Sequence, residues 1–175
     1  MTDHVTVRRI GPNEAVTHIE ALADVLVDCV EGGASVSFML PLSREKALAF
    51  WRNTAEGVAR RERVLLVAED PDGQVMGTVQ LVTLQPDNQP HRADVSKMLV
   101  RRQSRRRGIA QRLMAAIEDV ARDEGKTVLV LDTVTGGDAE RLYERAGWQR
   151  VGVVPNYALM PDGALCGTTF YYKHV

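Results

Sequence analysis

Val5, Val7 and Ile10 alternate with polar neighbours, and Gly11-Pro12-Asn13 ends the run, which predicts a strand over 5–10. Ile19, Leu22, Leu26, Cys29 and Val30 recur at helical spacing, so roughly 13–30 reads as a helix, stopped by Gly32-Gly33. Ser43 is placed as an N-cap. Behind it Leu48, Trp51, Thr54 and Val58 give one helical face up to about Arg61. A set of strands follows. The apolar run 64–68 meets Asp70-Pro71-Asp72-Gly73, a hairpin turn, and 75–82 returns antiparallel. A polar loop with prolines occupies 85–90, and 93–100 is the next strand.

The helix after Gly108 carries Ala110, Leu113, Met114, Ile117 and Ala121 on one face and has Gly125 at its C′ position. Thr127 to Leu131 is a short apolar strand with the character of a central one. Asp138 is expected to cap a short helix that buries Ala139, Leu142 and Ala146 and ends at Gly147. The closing strands are 148–154 and 168–173, separated by Pro161-Asp162-Gly163. This order predicts an α/β (α+β) class: a mixed central sheet of about seven strands with helices on both faces, all in a single domain over 1–175.

Charge sharpens the picture at one place. Lys+Arg is 22 against Asp+Glu 23, so the chain is nearly neutral and its arginine cluster is a local feature. The cluster lies in Arg101-Arg102-Gln103-Ser104-Arg105-Arg106-Arg107-Gly108, between an apolar strand end and an amphipathic helix. Backbone N–H groups at a helix start are unpaired and carry partial positive charge. Gly108 lets backbone approach a ligand without a Cβ in the way. The segment Arg105 to Ala110 therefore reads as a binding turn for a phosphate-bearing cofactor. Arg101, Arg102, Arg106 and Arg112 either reach a further phosphate or face water. A nucleic-acid module is disfavoured by the near-zero net charge and by the few aromatics beside the run.

Other chemistry is thin. Cys29 and Cys166 form no motif, which fits a reducing, cytoplasmic location. Cys29 lies on an apolar helical face, and Cys166 reads as a loop residue without a histidine to activate it, so a covalent route through cysteine is disfavoured. The histidines are peripheral and form no ligand pair, so no metal is expected. No apolar run is long enough to span a bilayer, and Met1-Thr2-Asp3-His4 lacks a signal-peptide pattern, so no membrane partner is expected. Neither a Walker pattern nor a dinucleotide glycine fingerprint is present.

The element order, Arg105-x-x-Gly108-x-Ala110 and Ala139-Glu140-Arg141-Leu142-Tyr143-Glu144-Arg145-Ala146-Gly147-Trp148 together resemble the GNAT superfamily of N-acetyltransferases over roughly 5–175. The resemblance implies a GNAT-like sheet and acetyl-CoA as acyl donor, held by Met98, Leu99 and Val100 and by Arg105, Arg106, Arg107, Gly108, Ile109 and Ala110. A narrower likeness is to the tabtoxin resistance branch, through Gly32-Gly33-Ala34-Ser35-Val36, Arg92 to Met98, Leu131-Asp132-Thr133 and Pro161-Asp162-Gly163. That branch implies Asp94 and Asp132 near the acceptor amine and Tyr143 near the cofactor sulfur. It carries Glu where this chain has Asp94, and many superfamily members carry Asn where this chain has Gly136.

Acetyl transfer to an amine needs a neutral amine, a bound donor, stabilisation of charge growing on the carbonyl oxygen, and a proton for the leaving thiolate. A positioned carboxylate can take the ammonium proton, directly or through water. The candidates are Asp132 as base and Asp94 as electrostatic anchor, with Tyr143 as proton donor. The purely structural alternatives are Asp94 paired with Arg92 or Lys97, Asp132 capping a turn, and Tyr143 packed in the core. Gly33, Ala34 and Ser35 lie where such enzymes shape the acceptor pocket, and the Gly32 to Leu40 insertion favours a closed one. The expectation is a small-molecule N-acetyltransferase working by direct transfer in a ternary complex. The acceptor is a β-lactam amino-acid toxin or a related amine, which would make the protein a resistance factor. Alternatives are a protein or peptide N-acetyltransferase, which needs an open groove, and a non-catalytic acyl-CoA sensor, disfavoured by the presence of Tyr143, Asp94 and Asp132. A homodimer is left open.

Overall fold

The computed structural model describes residues 4–175, and the Met1–Asp3 stretch read for a targeting pattern lies outside them. The order is β1 (Thr6–Ile10), α1 (Pro12–Thr17), α2 (Ile19–Glu31), α3 (Arg44–Ala59), β2 (Arg63–Glu69), β3 (Val75–Val82), β4 (Arg92–Val100), a 3₁₀ turn (Arg102–Ser104), α4 (Ile109–Asp123), β5 (Val128–Val134), α5 (Asp138–Arg145), β6 (Gln149–Leu159) and β7 (Leu165–His174). Among the described residues seven strands form one sheet, ordered β1-β2-β3-β4-β5-β7-β6. Only the β4–β5 pair is parallel. The chain thus has the expected mixed sheet, with one core under α1, α2 and α3 and another under α4 and α5.

The helices form for legible reasons. Ser43 caps α3, its Oγ accepting from Lys46 N–H at 3.2 Å. Gly125, at φ 72°, closes α4, and Lys126 N–H bonds back to Ala121 O at 2.9 Å. Ile109, Leu113, Met114, Ile117 and Ala121 bury one stripe of α4, each large side chain contributing about 1.5–3 kcal/mol over exposure. Glu118 is buried on the same helix, and its carboxylate accepts from Trp148 Nε1 (3.1 Å) and Lys173 Nζ (2.7 Å). Removing Glu118 would strand the Lys173 ammonium in a half-buried place.

Several boundaries differ from expectation. The helix expected over 13–30 is two helices that meet at His18, whose Nδ1 lies 2.7 Å from Glu14 O. Asp138 is not the cap of α5: Gly137 is, and the Asp138 side chain is 96% exposed. Glu140 takes over part of that work, its carboxylate accepting from Gly136 N–H at 2.7 Å. β5 runs on to Val134, so Asp132 lies within the strand. Cys166 belongs to β7 instead of a loop, paired with Ala158.

Two irregularities position the site. β4 and β5 pair only through Arg92↔Val128, Ala93↔Leu129 and Asp94↔Val130. Beyond Asp94 the two strands part. Within β4 the register passes from Gln80↔Ser96 to Thr78↔Leu99, so Val79 faces two residues, Lys97 and Met98. Lys97 sits at φ 53°, the left-handed conformation of a bulged residue. The bulge reverses the strand's alternation. Ala93 and Val95 pack in the α4 core, whereas Leu99 packs in the α2–α3 core.

Candidate active site

A cavity of about 670 Å³ opens where β4 and β5 separate. Its walls are Gly33 to Met39, Val95 to Met98 of β4, Leu131 to Val134 of β5, the start of α5 with Tyr143, and Tyr157 to Met160 of β6. The α2–α3 loop is tied across it. Ser35 Oγ donates to Leu159 O at 3.2 Å, and Leu40 N–H donates to Pro161 O at 3.0 Å. These bonds roof the cavity between the loop and the β6–β7 turn.

Tyr143 reaches this cavity from α5, whose end is set by Gly147 at φ 84° and by Trp148 N–H bonding to Tyr143 O at 3.0 Å. Its ring is buried against Trp148 and Tyr171, with centroids 6.1 and 5.9 Å away. The hydroxyl has no hydrogen-bond partner among the described residues. Burial, helped by the charge of Asp132, pushes the phenol up to about 12. The phenol therefore stays protonated at neutral pH.

Asp132 also lines the cavity. Its side chain is exposed to the cleft but flanked by protein. That burial raises its carboxyl above the ordinary value; Lys97 opposes the shift and Asp94 adds to it. Asp94 itself is not among the lining residues. Its carboxylate is held by the Arg92 guanidinium and by Gln85 Nε2 at 3.0 Å. Arg92 is fixed in turn by the side-chain oxygens of Gln85 and Gln89. The pairing with Arg92 is present, and Asp94 acts on the cleft through its field.

The basic turn is divided in use. Arg101 Nε donates to Val75 O at 2.8 Å. Arg102 is bound to α2, with its Nε 2.9 Å from Asp28 Oδ1. Arg105 Nε lies 3.4 Å from Val100 O, which also accepts from Cys29 Sγ at 3.4 Å. Burial pushes the Cys29 thiol up, so it is a core group. Arg106 and Gly108 adopt φ 62° and 73°. The N–H groups of Gly108, Ile109 and Ala110 make no bond to other backbone among the described residues. A Cβ at Gly108 would meet nothing within 4 Å, so open space lies over this helix start. Met98 lines the cavity; the Leu99 side chain is buried behind it.

Of the expected residues, Gly33, Ala34, Ser35, Met98, Asp132 and Tyr143 meet at one cavity. Residues that sequence reasoning passed over are there too: Ser37, Phe38, Lys97 and Tyr157. Lys97 stood inside a quoted motif, but regular alternation would turn it to the α4 face. Its actual direction depends on the bulge. Among the described residues no cluster of His, Cys, Asp and Glu could hold a metal, and no helix is long and apolar enough to cross a membrane.

Residues 33–148 match the model of the acetyltransferase (GNAT) family. An uncharacterized N-acetyltransferase from the hisH-hisA intergenic region of Azospirillum brasilense is 34% identical over 134 residues, covering 75% of this chain and 76% of that one. The fold is shared with solved structures at lower identity. Ribosomal-protein-alanine N-acetyltransferase from Brucella melitensis superposes with a TM-score of 0.78 at 23% identity, covering 97% of this chain and 99% of its own. The structure of yncA from Salmonella typhimurium with its cofactor acetyl-CoA gives 0.79 at 19% identity, over 98% and 94%.

Proposed function

The chain belongs to the GNAT acetyltransferase family and is an acetyl-CoA-dependent N-acetyltransferase, and from that premise we propose that it acetylates a primary amine on a small molecule, by direct transfer in a ternary complex. The observation that carries this reading is the roofed cavity. The loop 33–39 is tied to the end of β6 by Ser35–Leu159, and this crossing narrows a space of about 670 Å³ to the size of a small acceptor, which supports a small-molecule amine over a folded protein.

The residues present fit the donor. The unpaired N–H groups at Gly108, Ile109 and Ala110, with open space above them, would take the diphosphate. The β4 edge beyond Asp94 has no β5 partner, so its backbone at Met98 and Leu99 would take the amides of the pantetheine arm. Val100 O is already engaged by Cys29 and Arg105, so Val100 contributes shape. Acetyl-CoA, when bound, supplies an activated acetyl thioester. Asp132 accepts the ammonium proton, directly or through water, and its raised carboxyl makes it a better base than a solvated aspartate. Asp94 adds negative potential at the amine. Tyr143 Oη delivers its proton to the departing sulfur.

Of the segments that resemble the tabtoxin resistance branch, Gly33 to Val36, Val95 to Met98 and Leu131 to Thr133 line the cavity, whereas Gly32, Arg92 to Asp94 and Pro161-Asp162-Gly163 do not. This supports a β-lactam amino acid or a related amine as acceptor, and a role in toxin resistance. The same reading takes the chain as one domain working in the cytoplasm, where free Cys29 and Cys166 are stable. A thiol-release assay with acetyl-CoA tests it over amino acids, polyamines, amino sugars and peptides. Release driven by small amines is expected. Release driven only by peptides or proteins overturns the small-molecule reading.

A further inference from the structure

Lys97 is a cavity residue whose position is set by a broken alternation, and the proposed transfer gives it nothing to do. Without the bulge its side chain would share the Val95 face and enter the α4 core. With it, Nζ lies 3.2 Å from Ser37 Oγ and 5.7 Å from the centre of the Phe50 ring, on the cleft side. Ser37 is itself strained, at φ 79°. Two non-glycine residues in the left-handed region therefore meet at one hydrogen bond across the cavity wall. Strain of this kind persists only where surroundings enforce it, and it gathers at binding sites.

The charges around this contact do not balance locally. Lys97 lines the cavity and has no ion pair within 4 Å among the described residues; Asp132 lines the same cavity and has none either. Burial lowers the Lys97 ammonium, and the charge of Asp132 opposes that shift without contact. Behind Lys97, Arg63 is a second cation without a carboxylate; its Nη1 donates to Gln80 Oε1 at 3.0 Å and its buried Nε has no partner. Arg92, by contrast, is neutralised by Asp94. An ammonium has three donors, and one on Lys97 is used. The cleft thus presents an unpaired anion and an unpaired cation, held apart. A ligand that carries both charges satisfies both.

We propose that Lys97, braced by Ser37, is a specificity-determining residue that holds an anionic group of the acceptor while Asp132 holds its amine. The acceptors it selects are amines with a carboxylate or a phosphonate on the same small molecule. This rests on the small-molecule reading above and deepens it. Phe50 and Ser37 set the direction of the ammonium, and Arg63 adds positive potential from behind.

The test is a matched acceptor set. Alanine, leucine, lysine and phenylalanine are each supplied as the amino acid, the aminophosphonate, the primary amide and the decarboxylated amine. kcat/KM for acetyl-CoA-dependent thiol release is corrected for the fraction of free amine. The wild type should favour the anionic members by at least about 10-fold, the usual worth of a charge-assisted bond. Which of carboxylate and phosphonate is preferred identifies the group. In Lys97→Met the preference should fall towards one, mainly through KM, and Lys97→Arg should keep part of it. Equal kcat/KM with and without the anion in the wild type, or an undiminished preference in Lys97→Met, overturns the inference and leaves small-amine acetylation standing. Thiol release with polyamines or amino sugars but with none of these acceptors overturns the inference alone, and release driven only by peptides or proteins overturns both.

Discussion

Tyr143 and Asp132 are opposite cases of the same physics. Burial favours the neutral form of each, which leaves the phenol protonated at about 12 and lifts the aspartate above its ordinary value. A phenol that loses its proton only as pH rises through about 12 is a donor at every working pH. Tyr143→Phe is expected to lower kcat by about 10²- to 10⁴-fold with little change in acetyl-CoA affinity, measured where chemistry limits turnover. Wild-type kcat would make Tyr143 a packing residue. For Asp132 the sign differs between activity and stability. A carboxyl whose folded pKa is raised binds its proton more tightly in the native state, so it costs stability as pH rises through the interval above its unfolded value. Asp132→Asn should therefore melt at or above the wild-type temperature at neutral pH. Its kcat/KM should fall most between the raised carboxyl pKa and the pKa of the amine, and recover as free amine appears. A pH–rate profile equal to wild type, or a lower melting temperature, would point to a purely structural role within β5 instead.

At the scale of elements, the start of α4 is where the donor is proposed to bind. Arg106 and Gly108 at positive φ turn the chain so that the helix opens towards free space. Gly108→Asp sets a carboxylate where an anionic diphosphate is proposed to sit. Like charges at such an interface cost several kcal/mol, so acetyl-CoA affinity should drop by about 10²-fold in calorimetry while circular dichroism stays native. Gly108→Ala is the control: it meets no atom within 4 Å but strains a φ of 73°, so it should lose about 1 kcal/mol of stability and bind better than the aspartate variant. Equal affinity of wild type and Gly108→Asp would move the phosphate site elsewhere.

For the whole molecule, the cleft joins parts that are distant in sequence: the α2–α3 loop, β4, β5, α5 and β6. A ligand that fills it should couple them. Donor present at about 100 times its Kd adds about 2.7 kcal/mol to unfolding. For a chain of this size that raises Tm by about 5–10 °C. Differential scanning fluorimetry with acetyl-CoA should show this rise for the wild type and only about 1 °C for Gly108→Asp at the same concentration. The absence of any rise in the wild type would contradict the proposed cradle.

The sequence by itself determined the elements and the basic turn, because both depend on local features. The helical stripe from Ile109 to Ala121, the cap at Ser43 and the stop at Gly125 are decided within a few residues of chain. Gly108 before an amphipathic helix carries its own binding physics, and the two acetyltransferase motifs stand in plain order. The structure decided what depends on pairing. β7 inserts between β5 and β6, so β6 becomes an edge that covers the cleft, a choice no single strand's pattern records. Asp94 turned to Arg92 while Asp132 kept the cleft, because β4 and β5 part just after Asp94↔Val130. Lys97 changed faces because Val79, on the neighbouring strand, opposes two residues instead of one. A bulge is a property of the ladder, and the alternation of one strand cannot announce it.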